Sequence, residues 1–200
     1  YVFTNSTFDI RTKRILDIVI SACGLILLVP LTFLIWLLNF NFNSGSLFYY
    51  QKRVGHHGKI FNIIKFRSMS SDAEKSGILW AKDNDNRVTS FGKWLRKTHI
   101  DELPQLWNIF YGEMSLVGPR PERPEWVEKI EKKIPYYNLR HLVKPGLTGW
   151  AQINLFYVDS IERTKLKLEY DLFYLSRLNF ALDLKIIFKT FQNVFFAKGR

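Results

Sequence analysis

Two adjacent carboxylates, Asp101 and Glu102, stand in the segment Arg96-Lys97-Thr98-His99-Ile100-Asp101-Glu102-Leu103-Pro104-Gln105, just ahead of a helix whose first turn holds a proline. Acidic residues there have a plain structural use: they cap free N–H groups and meet the helix macrodipole, for ~0.3–1 kcal/mol. Their neighbours point to a second use. A helix start keeps a carboxylate ionised and attracts phosphate. Arg96 and Lys97 adjoin the pair, and Lys65 and Arg67 form a second basic stretch, Ile64-Lys65-Phe66-Arg67-Ser68-Met69. Carboxylates among cations suit a Mg2+-assisted reaction on a phosphate ester, with Asp101 and Glu102 as oxygen ligands and Arg or Lys neutralising the remaining charge. A solvated or membrane-facing basic surface is the other reading of Lys65 and Arg67. In Gly118-Pro119-Arg120-Pro121-Glu122, Pro119 and Pro121 fix φ and hold Arg120 in an extended frame. A preorganised guanidinium suits a phosphate or a base edge. A rigid loop whose arginine pairs with a nearby acid has the same spacing.

The elements that must position these groups make an α+β chain, mostly helical. Leu47 to Tyr50 and Lys59 to Phe66 read as short strands around the turn Gly55-His56-His57-Gly58. Thr89 to Lys97 and Glu102 to Tyr111 read as helices, the second starting near Pro104. Gly112 to Glu125 reads as irregular, Pro124 to Lys133 as a charged helix, and Lys144 to Gly149 as a turn-rich link. Residues 161–176 and 180–196 read as helices. In the last, Leu184, Ile187, Phe188, Phe191, Val194 and Phe195 form a stripe at helical spacing. That stripe suits either a core-packing helix or an amphipathic helix on an anionic membrane.

Charge and apolarity are unevenly spread. The 200 residues carry 29 Lys+Arg and 18 Asp+Glu, a net charge of +11, with 47% hydrophobic and 16% aromatic residues. This excludes a disordered basic tail and a disulfide-stapled miniprotein. The single cysteine, Cys23, excludes disulfides and Cys-based zinc sites, and no histidine pair has ligand spacing. From Ile18 to Gln51 no residue is charged, and Ile18 to Leu38 as a helix would reach ~32 Å, one hydrocarbon thickness. A plain transmembrane helix is the simplest reading. Pro30 inside the run predicts a kink. Arg11, Lys13 and Arg14 before it, and Lys52, Arg53, Lys59, Lys65 and Arg67 after it, would keep both ends on one side. These details favour a re-entrant helix, with Asp17 pairing to Lys13 or Arg14 near the interface. Residues 1–40 then form an N-terminal tail and membrane helix, and 41–200 a small domain large enough for its own core.

Four motifs occur in order: Lys65-Phe66-Arg67-Ser68-Met69, Asp101-Glu102-Leu103-Pro104-Gln105-Leu106, Gly118-Pro119-Arg120-Pro121-Glu122, and Lys144-Pro145-Gly146-Leu147-Thr148-Gly149-Trp150-Ala151-Gln152. Together they resemble the bacterial sugar transferases, the monotopic polyprenyl-phosphate phosphoglycosyl transferases, from about Lys13 to the C-terminus. The resemblance implies transfer of a sugar 1-phosphate from a nucleotide sugar, usually a UDP-sugar, to undecaprenyl phosphate. Asp101 would be the nucleophile, forming a phosphosugar-aspartate and releasing UMP in a ping-pong sequence. Glu102 would help hold Mg2+ or handle a proton. Pro119, Arg120 and Pro121 would meet the nucleotide, and Arg96, Lys65 and Arg67 would steady phosphates. It also implies a re-entrant, Pro30-broken helix with amphipathic interfacial helices, on the cytoplasmic face of the bacterial inner membrane. This would be the first membrane step of surface-glycan synthesis; homo-oligomerisation is left open.

Two departures stand out. Ile153-Asn154-Leu155-Phe156-Tyr157 replaces an Asn-Gly-Arg-like turn, so that turn's arginine contacts do not carry over, and Val29 replaces a serine before the proline. The stretch after Gln152, Glu125 to Tyr137, and the Ala197-Lys198-Gly199-Arg200 ending look nearer to the large exopolysaccharide-initiating relatives, which carry extra N-terminal membrane segments. With Tyr1 at the start, a catalytic domain detached from a longer protein is one expectation. A nucleic-acid-binding module, suggested by +11 and the aromatics, has no recognition motif here and no nucleic-acid partner is expected. A non-catalytic membrane scaffold has no need of Asp101-Glu102 among so many cations.

Overall fold

A computed structural model describes residues 7–42, 45–70, 72–73, 85–155 and 160–195. Helix α1, Thr7–Phe42, carries the apolar run and continues through Pro30. The proline therefore does not end the helix, because the turns on both sides are held by packing. Leu28 and Ile35 are buried with Phe66 and Leu95, and Gly24 lies against Leu106. Each such buried Leu or Ile contributes about 1.5–3 kcal/mol.

Polar pins fix the start of α1. Lys13 donates to the Val117 carbonyl (2.9 Å) and to Asp183 (2.6 Å), while Arg14 donates to the Ile109 and Phe110 carbonyls, both at 2.7 Å. Asp17 pairs with neither cation, contrary to the expectation from spacing. It accepts from the Leu116 N–H (2.9 Å) and Ser115 Oγ (3.1 Å), donors in the interior that need an acceptor. At the other end, Asn39 donates to the Gly45 carbonyl (3.3 Å). The opposite face is open: Ile26, Leu27 and Val29 are each about 70% exposed (71%, 73% and 69%), beside Phe33 and Trp36.

Strands β1, Phe48–Val54, and β2, Ile60–Phe66, form an antiparallel hairpin over the turn His56–Gly58. Strand β1 extends past the expected Tyr50 because Arg53 and Gln51 find partners inside the fold. Helix α2, Ser90–Lys97, is capped by the Thr89 side chain, which accepts from the Gly92 N–H at 2.9 Å. Gly92 is required there: a Cβ would sit 1.9 Å from the Ser68 carbonyl oxygen. A 3₁₀ turn, Ile100–Gln105, leads into α3, Leu106–Tyr111.

Two three-residue strands went unforeseen. Strand β3, Ser115–Val117, pairs in parallel with β4, Gly146–Thr148, inside the segments read as irregular and turn-rich. Their contact depends on Gly146, whose Cβ would lie 2.0 Å from the Gly118 nitrogen. Helices α4, Pro124–Glu131, α5, Trp150–Asn154, α6, Ile161–Ser176, and α7, Phe180–Phe195, complete the domain. The α7 stripe divides between the two readings. Of the stripe, Ile187 packs partly against the core of Val117 and Tyr174, whereas Leu184, Phe188, Phe191 and Val194 are exposed; the buried Ile186 lies off the stripe. Trp94 of α2 and Trp107 and Tyr111 of α3 are exposed as well.

Candidate active site

Asp101 and Glu102 lie within the first turn of the 3₁₀ helix, not ahead of a helix start. His99, in the left-handed region at φ 56°, precedes that turn, and no side chain caps it. Neither carboxylate is the capping residue, but both stand in the first turn, where the macrodipole favours them. The turn packs between β2 and α2, which carry Lys65 and Arg96.

Glu102 is clamped. Its Oε1 accepts from Lys65 Nζ at 2.8 Å and from Arg120 Nη2 at 2.5 Å, and Arg120 Nη1 lies 3.3 Å from Oε2. Burial would raise the Glu102 pKa, but Arg120 and Lys65 overcome it and hold the carboxyl well below its ordinary value. Burial lowers the Lys65 pKa, opposed by Glu102.

Asp101 contrasts with its neighbour. It is only 7% exposed, yet among the described residues nothing donates a hydrogen bond to its carboxylate. Burial, and then the negative Glu102 beside it, push its pKa up to about 6, against the pull of Lys65, Arg96 and Arg120. Near neutral pH such a group is mostly ionised and has no protein donor on its oxygens, a state that suits a carboxylate nucleophile. Arg96 donates through Nε to Ser68 Oγ at 2.9 Å, which aims its guanidinium from α2 toward this cluster. No third His, Cys, Asp or Glu joins the pair into a metal-binding group among the described residues.

The Pro119-Arg120-Pro121 frame is held along its length. The Pro119 carbonyl accepts from Gly146 N–H (2.9 Å), that of Arg120 from Arg140 Nη2 (2.8 Å), that of Pro121 from Arg53 Nη1 (3.2 Å), and that of Glu122 from Val54 N–H (2.9 Å). Pro119, Arg120 and Pro121 border a small cleft with Val54, Gly55, Arg140 and His141. Of the residues expected here, the structure thus gathers Asp101, Glu102, Lys65, Arg96, Pro119, Arg120 and Pro121. Arg67 is placed elsewhere: it donates to the Ser46 carbonyl (2.9 Å) and Oγ (2.8 Å) and lies over the Tyr49 ring. Strand β2 ends at Phe66, so the alternation that would set Arg67 beside Lys65 no longer applies.

Behind the frame is a second charged group that local spacing did not reveal. Glu122 pairs with Lys167 and, at 4.0 Å, with Arg53. Arg140 pairs with Asp171 at 2.8 Å and accepts no water-facing role, being 2% exposed. Of the departures noted in the sequence, Asn154 donates to the Trp150 carbonyl at 2.8 Å, while residues 156–159 and the 197–200 ending lie outside the described residues.

Comparison with known proteins identifies the family. Residues 8–197 match the family described as bacterial sugar transferase. A UDP-N-acetylgalactosamine-undecaprenyl-phosphate N-acetylgalactosaminephosphotransferase of Aeromonas hydrophila is 40% identical over 91% of this chain and 43% of its own length. A UDP-glucose:undecaprenyl-phosphate glucose-1-phosphate transferase of Klebsiella pneumoniae is 42% identical over 94% of this chain and 41% of its own. The chain thus spans about two fifths of these relatives. The exopolysaccharide production protein PSS of Rhizobium leguminosarum bv. phaseoli is 35% identical over 91% of this chain and 94% of its own length. With four ordered motifs, a gathered carboxylate site and a family match from one end of the fold to the other, the chain belongs to the bacterial sugar transferases.

Proposed function

We propose that this chain transfers a sugar 1-phosphate from a UDP-sugar to undecaprenyl phosphate, as the first membrane step of surface-glycan synthesis. The observation that carries the mechanism is the asymmetry of the carboxylates: Glu102 is locked by two cations, and Asp101 is buried without a donor. An Asp101 Oδ attacks the β-phosphorus of the UDP-sugar. The bond from that phosphorus to the bridging oxygen breaks, and UMP leaves with the oxygen. An oxygen of undecaprenyl phosphate then attacks the same phosphorus, breaks its bond to Asp101 and restores the carboxylate. Lys65, Arg96 and Arg120 outnumber the two carboxylates, which favours a diphosphate in the site. Arg96, bound to protein through Nε, has its outer nitrogens to offer to phosphate. Pro119 and Pro121 keep Arg120 from swinging away and form the wall that the nucleotide meets.

The donor set also fits Mg2+. Two carboxylates are too few for a protein-only cage but suit an ion that binds mainly through substrate phosphates and water. Asp101 and Glu102 would hold it, and it would neutralise charge developing on the diphosphate.

The packing of α1 supports a membrane arrangement of the re-entrant kind. Both ends of this helix are tied to the same domain, by Lys13, Arg14 and Asp17 at one end and Ile35 and Asn39 at the other. A helix whose ends share one domain supports a re-entrant reading, entering and leaving one leaflet, even though α1 continues through Pro30. Its exposed apolar face, with Trp107 and Tyr111 of α3 and Phe188 and Phe191 of α7, meets lipid, including anionic headgroups, on the cytoplasmic face of the inner membrane.

The test is incubation in lipid nanodiscs with Mg2+, undecaprenyl phosphate and a panel of UDP-sugars. Release of UMP with one sugar is the expected outcome; release of UDP would mean direct glycosyl transfer and defeat the mechanism. A cysteine at position 5 should label only from the cytoplasmic side, and periplasmic labelling would restore a straight span.

A further inference from the structure

The four carbonyls of the frame are not held alike. Those of Pro119 and Glu122 are held by backbone N–H groups, and that of Pro121 by Arg53 of β1. Among the described residues the Arg120 carbonyl is held by Arg140 alone, at 2.8 Å. Arg140 spends its whole fork on this task. Its Nε donates to Asp171 Oδ2 at 3.0 Å, its Nη1 to Tyr137 Oη at 2.9 Å, and its Nη2 to the Arg120 carbonyl. The guanidinium carbon lies 5.1 Å from the Tyr137 ring centroid, so the group is fixed from its face as well as its edges.

Stability alone gives little reason for this. A buried ion pair is often no better than apolar residues of the same volume. Here one donor of the buried arginine is aimed at the main chain of the residue whose side chain clamps Glu102.

We propose that Arg140 is a positioning residue for sugar-phosphate transfer: by tying the Arg120 carbonyl to Asp171 of α6, it sets where the Arg120 guanidinium meets Glu102, and so where Glu102 and Asp101 stand. This rests on the reading of Asp101 and Glu102 as the reacting pair. Lysine cannot replace it, because one ammonium has no planar fork to reach Asp171, Tyr137 and the carbonyl together. Tyr137 is the second member of the device, since its hydroxyl sets the rotation of the fork.

Two variants of the full chain test it, Arg140→Lys, which keeps a charge opposite Asp171, and Tyr137→Phe, which leaves no charge unpaired. Arg140→Lys is expected to lower kcat about 10–100-fold with KM for the UDP-sugar within about 3-fold, because misplacement costs the chemical step more than binding. Tyr137→Phe is expected to lower kcat about 3–10-fold in the same pattern. In an Arg120→Ala background, Arg140→Lys should add no further loss, since the group it positions is gone. Hydrogen exchange across residues 118–123 should rise in both single variants and stay unchanged across α4.

Arg140→Lys multiplying the Arg120→Ala loss in full, or unchanged exchange at 118–123 beside a lowered Tm, would make Arg140 a structural residue and overturn the inference. Absence of sugar-phosphate transfer in the unaltered chain would instead defeat the functional reading. The exchange measurement would then still decide whether Arg140 holds the loop.

Discussion

The Pro-Arg-Pro frame separates two groups of charges, some buried and some partly so, that share residue types and differ in how they are satisfied. On one side Lys65, Arg96 and Arg120 surround Asp101 and Glu102; on the other Arg140, Lys167 and Arg53 surround Asp171 and Glu122. Behind the frame each carboxylate has a direct cationic partner. In front, Glu102 takes two cations and Asp101 takes none by contact. Burial opposes ionisation in both groups; cationic partners overcome it at Glu102 and Glu122, whereas burial still holds Asp171 above its ordinary value despite Arg140. Glu122 is brought down to about 2, chiefly by Lys167 and Arg140 against the cost of burial, while burial and Glu102 take Asp101 up to about 6. Of these four carboxylates only Asp101 lacks a contacting cation, and it is the one proposed to react.

Removing the unpaired carboxylate should have the largest effect. Asp101→Asn is expected to abolish transfer, by at least ~10⁴-fold in kcat, and yet to raise Tm. Because the folded pKa of about 6 stands above the ordinary 3.8, the ionised form is a burden on the folded state. The gain should therefore be full above about pH 6 and fade as pH falls toward 4. Its size is about 2–3 kcal/mol, or ~5–10 °C, read by thermal unfolding in EDTA.

Glu122→Gln should do the reverse. Its folded pKa of about 2 lies below the ordinary 4.5, so its stabilisation is present above pH 4.5 and is lost as pH falls through 2. A loss of about 3 kcal/mol at neutral pH, shrinking on acidification, is expected from the same scans. A Tm change of the same sign in both variants would erase the contrast between the groups.

The pH profile should sharpen it further. With Lys65, Arg96, Arg120 and Glu102 facing Asp101, kcat/KM should fall about tenfold from pH 7 to pH 5, as the nucleophile protonates through about 6. The smallest effect belongs to Arg67. Bound to Ser46 and outside the carboxylate cluster, it should change turnover less than about 3-fold on replacement by Ala.

Legibility in the sequence followed the distance between partners. Asp101, Glu102, Lys65, Arg96 and Arg120 could be read because each lies in a short, unusual segment whose residue types suit phosphate chemistry. Arg140–Asp171 and Glu122–Lys167 are separated by 31 and 45 residues, and nothing in the local spacing marks a charge as buried. The strands β3 and β4 were missed for a related reason: three residues of Ser-Leu-Val or Gly-Leu-Thr carry no periodicity, and only their pairing makes them strands. Arg67 groups with Lys65 on residue type and closeness in sequence, but β2 ends at Phe66 and Arg67 binds Ser46 instead. The packing face of α1 was legible and unread. Asp17, Ser21, Gly24, Leu28, Ile35 and Asn39 recur at helical spacing, with small or polar residues where the domain approaches. The uniform apolarity of the run masks that stripe, because lipid-facing and domain-facing positions carry similar residues.

The two groups of charges matter only if the unpaired carboxylate forms a bond. Incubating the chain with Mg2+ and its UDP-sugar, without undecaprenyl phosphate, followed by intact-mass and peptide mass spectrometry, tests this directly. A mass gain of one sugar phosphate on the peptide containing Asp101, discharged by added undecaprenyl phosphate, is the predicted result. Transfer to lipid under the same conditions with no adduct on Asp101 at any time during turnover would contradict it.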